Sequence, residues 1–175
     1  MSDIKKLDIG ETFKEAFDIG LKNILSVFVN SLLFGLTFWI PYIGMGTTIG
    51  FMVGLVSKAS KGEAISFTEV LDPKYRKYIG EFYLTAGLMF MGILAGNFGA
   101  LVIYYAWSQS LLLVIDKGKN PTEALTISNN CTYGNKLMLF GLYFLVGFIS
   151  WIPFLGPAVL VGLQASVYKQ LTANV

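Results

Sequence analysis

The chain has 175 residues, 54% hydrophobic and 14% charged, with no histidine and a single cysteine. A soluble domain of this length usually carries about 25% charged residues, so the composition excludes an ordinary soluble fold, and a net charge of +2 is too small for a nucleic-acid surface. One cysteine excludes an internal disulfide framework and multi-thiolate metal sites, and the lack of histidine excludes HExxH centres and Ser-His or Cys-His nucleophile pairs.

The opening stretch MSDIKKLDIGETFKEAF mixes acids with lysines and lacks an apolar h-region and an A-x-A site, so it does not read as a signal peptide. Asp8 stands three residues before Glu11, the capping-box spacing. Ile9, Phe13, Phe17 and Leu21 then step by four along one face, predicting an amphipathic helix.

A first charge-free run follows over residues 23–57. As one helix it would be about 50 Å long, whereas a bilayer core needs about 30 Å; two short helices in a hairpin fit better. The turn falls at Trp39-Ile40-Pro41-Tyr42-Ile43-Gly44. Proline disfavours helix in the residue before it, Gly44 can take a positive φ, and Trp39 suits the headgroup level. A continuous helix kinked at Pro41 is the rival reading. Beyond the turn, Gly46, Gly50 and Gly54 form a small-residue ladder for close helix packing.

Residues 58–81 are charged. Ser66 and Glu69 repeat the capping spacing, and Phe67, Val70, Leu71, Tyr75 and Tyr78 predict a second amphipathic helix that Pro73 interrupts. Lys74, Arg76 and Lys77, interleaved with tyrosines, are candidates for contact with lipid headgroups. The second charge-free run, 82–115, has no proline; Gly96, Asn97 and Gly99 mark its reversal.

Residues 116–136 are charged again, and Asn120-Pro121-Thr122-Glu123 forms the third capping signal, with Pro121 at the first helical position. The third run, 137–168, carries Trp151-Ile152-Pro153-Phe154-Leu155-Gly156 at its centre. Trp151, Pro153 and Gly156 repeat the first turn 112 residues later, and 31 residues separate Asp8 from Trp39 and Asn120 from Trp151. At the same offset Asn23 matches Asn135 and Gly50 matches Gly162. The expectation is one membrane domain over 1–175 with parallel repeat units at about 8–58, 66–116 and 120–170.

The predicted fold class is therefore all-α integral membrane: six short transmembrane helices as three hairpins, each preceded by an amphipathic helix. That helix either lies in the interface plane or packs on its own hairpin. All 13 basic residues lie outside the charge-free runs, so the positive-inside rule places both termini in the cytoplasm.

Asp116-Lys117-Gly118, the Pro121-Thr-Glu-Ala-Leu-x-x-Ser stretch and Tyr133-Gly-Asn-Lys136 resemble a broad group of uncharacterised multi-spanning prokaryotic proteins. These include the DUF975 and YciC-like proteins and the membrane domain attached to some glycerophosphodiester phosphodiesterases. The resemblance runs from about residue 58 onward; it implies six helices and a membrane location, and carries over no catalytic residue.

No ionisable residue lies within the runs, against the habit of proton-coupled transporters. Glu81 and Asp116 read as helix-end markers, and Cys131 as a small half-buried residue or a palmitoylation site. No enzyme activity, metal or cofactor is expected. The favoured function is a non-catalytic membrane protein acting through helix packing, self-association or contact with membrane lipids. The alternative is a small-solute channel or transporter, built by one copy or a homo-oligomer, with Gln109 and Gln164 in its polar pathway.

Overall fold

The computed structural model of the chain describes residues 6–96 and 99–175, and every regular element among them is helical. Helix α1 (Ile9–Lys22) starts where Asp8 accepts the N–H of Glu11 at 2.7 Å. Far along the chain, the helix Pro121–Thr132 starts where Asn120 accepts the N–H of Glu123 at 2.9 Å. Each cap satisfies an amide with no partner inside the helix.

The entry to the second unit is different. The Ser66 hydroxyl reaches the N–H and hydroxyl of Thr68, at 3.4 and 3.5 Å, and not the N–H of Glu69, and Pro73 has no N–H to donate. Residues 66–78 consequently form two short 3₁₀ turns, Glu69–Leu71 and Pro73–Tyr78, instead of the expected amphipathic helix.

Each charge-free run contains two helices packed on each other. In run one, α2 (Ile24–Thr37) returns as a helix made of α3 (Ile43–Ile49), a π-helical turn (Gly50–Gly54) and α4 (Leu55–Ser60). Phe34 stacks on Phe51 at 4.6 Å and Thr37 Oγ1 donates to Thr47 Oγ1 at 3.2 Å, so the two arms are antiparallel. In run two, α5 (Ile79–Gly96) returns as α6 (Ala100–Ala106) and α7 (Ser110–Lys117). Run three pairs α9 (Lys136–Ile149) with α10 (Leu155–Leu171), after the capped helix Pro121–Thr132, here α8.

The two proline turns are built alike, but not as expected. Tyr42 and Phe154, not the glycines, take positive φ, 64° and 68°. The N–H of Ile43 donates to the carbonyl of Pro41, and that of Leu155 to Pro153, both at 2.8 Å. These are γ-turns centred on an aromatic residue, a strained conformation. Gly44 and Gly156 serve by lacking a Cβ, which would strike the carbonyls of Phe38 and Ser150. Trp39 and Trp151 are fully on the surface. At the middle reversal, Asn97 lies outside the described residues; Gly96 packs under Ile103, and Gly99 has φ −84°, outside the left-handed region.

The entry segments neither stand free nor pack on their own hairpins. Helix α1 runs antiparallel along α10, with Gly20 on the carbonyl of Ala158 and Gly162 against the carbonyl of Ala16. Residues 69–76 lie along α3 and the π-turn and touch α2, and Glu69 pairs with Lys58 of α4. Helix α8 lies against α5, α6 and α7. Each unit's entry thus packs on the returning helix of the unit before it, and unit one closes the ring onto unit three.

Asn23 and Asn135, equivalent in the repeat, sit at the breaks after α1 and α8, with φ near −110° and ψ near 0° in both. The chain bends there by 72° and 90°. Among the described residues, Pro73–Gly96 is the helix that is by itself long and apolar enough to cross a membrane, at 24 residues; the two bent pairs bring the number to three. The expectation of six separate short spans is finer than this. Large apolar side chains cover the outer surface, among them Leu84, Phe90 and Met91 on α5 and Leu137, Phe144 and Phe148 on α9.

Candidate functional site

Two features gather polar side chains from distant parts of the chain. The larger is a cleft of about 260 Å³ at the charged end of the molecule. The π-turn ends on Gly54, α4 contributes Ser57 and Lys58, and Lys61 follows just past its end, a spacing of three and four that sets them on one face. The 3₁₀ turn Pro73–Tyr78 contributes Lys74, Tyr75, Lys77 and Tyr78, and the last turn of α7 contributes Asp116.

Two carboxylates organise this cleft. Glu69, 3% exposed, takes ammonium groups from Lys58 and Lys74 and the hydroxyl of Tyr75, each at 2.7 Å. Burial alone would raise its pKa, but hydrogen bonds from Lys58, Lys74 and Tyr75 outweigh it and hold the carboxyl below its ordinary value. Asp116 accepts from Ser57 at 2.5 Å and from Tyr168 at 2.9 Å, and pairs with Lys61. Again burial pushes upward, and the bonds from Lys61, Ser57 and Tyr168 bring the pKa below the usual range. Both acids are ionised at neutral pH and fix their lysines in place. Lys77 lines the same cleft without an ion-pair partner among the described residues. Four ammonium groups therefore face the cleft, against the lining carboxylates of Glu63 and Asp116.

Of the three basic residues singled out for headgroup contact, Lys74 and Lys77 enter the cleft. Arg76 does not: its guanidinium lies 5.5 Å from the ring centre of Tyr42, and its stem crosses Gly46. The ladder of Gly46, Gly50 and Gly54 faces Arg76, Val70 and Tyr75, so a 3₁₀ segment occupies it rather than another long helix. Sequence reading did not anticipate Lys58, Lys61 and Glu69, and treated Asp116 only as a helix end. The available signal was the Gly54, Ser57, Lys58, Lys61 face of α4.

A third carboxylate closes the ring. Glu15 on α1 accepts from Ser166 at 2.5 Å and Lys169 at 2.7 Å on α10. Burial raises its pKa, and the bonds from Lys169, Ser166 and Gln170 more than reverse that. Cys131 is half-buried, with its Sγ 3.3 Å from the carbonyl of Ser128, and burial pushes its thiol up to about 11; such a thiol is inert at neutral pH.

The second feature is a cavity of about 180 Å³ among the returning helices, and both Gln109 and Gln164 line it. No group of three or more His, Cys, Asp or Glu side chains suited to a metal occurs among the described residues. A scan against protein-family models finds no match, and searches of curated proteins and of solved structures find none either.

Proposed function

We propose that this chain is a non-catalytic multi-pass protein of the prokaryotic cytoplasmic membrane that holds anionic lipid headgroups in the lysine cleft. The observation that carries the reading is the cleft itself: Lys58, Lys61 and Lys74, held by the carboxylates of Glu69 and Asp116, stand with Lys77, unpaired among the described residues, beside Tyr75 and Tyr78 at the foot of the apolar helix α5. Phosphate oxygens accept well from such ammonium donors, and anionic lipid attracts basic residues near its surface by about 1 kcal/mol each.

Six crossings fit this placement. Three arms ascend: α2 after its bend from α1, the continuous helix Pro73–Gly96, and α9 after its bend from α8. Three descend: α3 through α4, α6 with α7, and α10. The charged ends of the descending arms meet at Asp116, which touches Ser57 of one and Tyr168 of another. Helices with their C-termini together run parallel, which supports parallel repeats and one shared cytoplasmic face. The resemblance of residues 116–136 to multi-spanning prokaryotic proteins points the same way.

Native mass spectrometry of the protein from mixed phosphatidylglycerol and phosphatidylcholine nanodiscs tests the reading. Phosphatidylglycerol is expected to be retained preferentially, and Lys77→Ala to weaken that retention about fivefold, the factor for one lysine. Equal retention of the two lipids, or a Lys77→Ala variant that behaves like the parent, overturns it.

A further inference from the structure

The returning arm of unit two is broken inside its apolar run. Helix α6 ends at Ala106 and α7 begins at Ser110, so residues 107–109 leave backbone groups without helical partners. Helix α8 supplies them: Ser128 and Thr132 donate to the carbonyl of Ala106 at 2.8 and 3.2 Å, and the N–H of Gln109 donates to Ser128 Oγ at 3.1 Å. Irregular backbone at such depth is tolerated where protein covers it or where it lines a cavity, and here it does both.

Gln109 sits in this break, 1% exposed, with its side chain in the 180 Å³ cavity. Its Nε2 donates to Ser108 Oγ at 2.9 Å, but Oε1 has no partner among the described residues. A buried amide oxygen left unbonded is an exception among folded proteins. Gln164, from α10, lines the same cavity and has no hydrogen-bond partner among the described residues. No acidic or basic side chain lines it. Met52 and Tyr104, both nearly half exposed, mark where it meets the apolar outer surface.

We propose that this cavity binds a neutral hydroxyl-bearing molecule, held by the amides of Gln109 and Gln164. An ion is disfavoured because nothing in the wall offsets its charge. A hydroxyl both donates and accepts, so it satisfies the Gln109 amide whichever end is turned inward. The volume exceeds what one water needs and suits a small polyol or the hydroxyl end of an uncharged lipid entering beside Met52. The inference is independent of the lysine cleft and holds whether or not a headgroup binds there.

The test uses the full chain in nanodiscs, with ethylene glycol as the soluble probe beside its dimethyl ether and a diacylglycerol as the lipid probe beside its methyl ether, so that each ether lacks every hydroxyl donor. Binding is read by tryptophan fluorescence, since Trp107 directly precedes the lining residues Ser108 and Gln109, and by native mass spectrometry for the lipid. At least one alcohol is expected to bind about tenfold more tightly than its ether, because a site built around hydrogen bonds rejects an analogue lacking the donor. Gln109→Leu is expected to abolish that preference. Gln164→Leu, at a less buried position, is expected to weaken it if Gln109→Leu fails to fold. Preference for ethylene glycol identifies a soluble ligand, and preference for the diacylglycerol a lipid. Equal binding of alcohols and ethers, no binding of either probe, or a preference unaffected by the substitutions overturns the proposal.

Discussion

Gly50 and Gly162 occupy equivalent places in units one and three, yet what lies on them differs. Gly162 faces backbone, the carbonyl of Ala16 and the N–H of Gly20, so α1 and α10 approach at the distance that only small residues allow. Gly50 faces the Cα of Val70 and the ring of Tyr75, which also covers Gly54. The repeated unit supplies a bare groove on its returning helix; the next entry segment decides what fills it. Where that segment is a regular helix with Ala16 and Gly20 on one face, helix meets helix. Where Pro73 breaks it into 3₁₀ turns, a tyrosine ring fills the space and carries its hydroxyl to Glu69.

The largest effect is expected at the backbone seam. Gly162→Ala puts a methyl group on the carbonyl of Ala16, and neither helix can yield without moving its axis, so thermal unfolding in detergent should show a loss of about 3 kcal/mol. A shift near zero would mean that α1 does not seat on α10.

A middle effect is expected at the acid of the other seam. Glu69→Gln removes the charged acceptor of Lys58, Lys74 and Tyr75 and should cost about 1.5–3 kcal/mol at pH 7. Because the folded pKa of Glu69 is lowered, its contribution is present above the unfolded value of about 4.3 and fades as pH falls through the folded value. The parent should lose stability on acidification in that window, and Glu69→Gln should lose less; parallel pH profiles would remove Glu69 from the account.

The smallest effect is expected at Gly46→Ala. There the new methyl meets the stem of Arg76, a flexible side chain that can step aside. A loss of about 1 kcal/mol, the low end for overpacking, would sharpen the contrast with Gly162; a loss matching it would erase the distinction between the seams.

The capping residues Asp8 and Asn120 were legible because a cap is a contact over three positions. The reversals at Pro41 and Pro153 were legible for the same local reason. Their inner geometry was not: glycine was the natural bearer of positive φ, but the γ-turn puts it on Tyr42 and Phe154, while Gly44 and Gly156 are needed for clearance. Asn23 and Asn135 were visible as a matched pair, although nothing nearby in the chain marks them as the places where α1 and α8 bend. For the candidate sites, Lys74, Lys77, Gln109 and Gln164 stood out by residue type. Glu69 looked like the end of a capping box, and its burial beside Lys58 follows from a contact that the local pattern does not contain.

By itself the sequence determined what short-range chemistry controls: three apolar runs without charge, a turn in two of them, a capping signal before each, and a repeat at 112 residues. The tertiary structure alone decided which entry segment lies on which returning helix, and so which distant groups meet. Ser57, Asp116 and Tyr168 converge on one another, as do Gln109 and Gln164, from different repeat units. Hydrophobic periodicity tells a helix which face to bury, because burial is non-directional, but it does not name the partner; shape at the bare glycines and the pairing of buried charges select it.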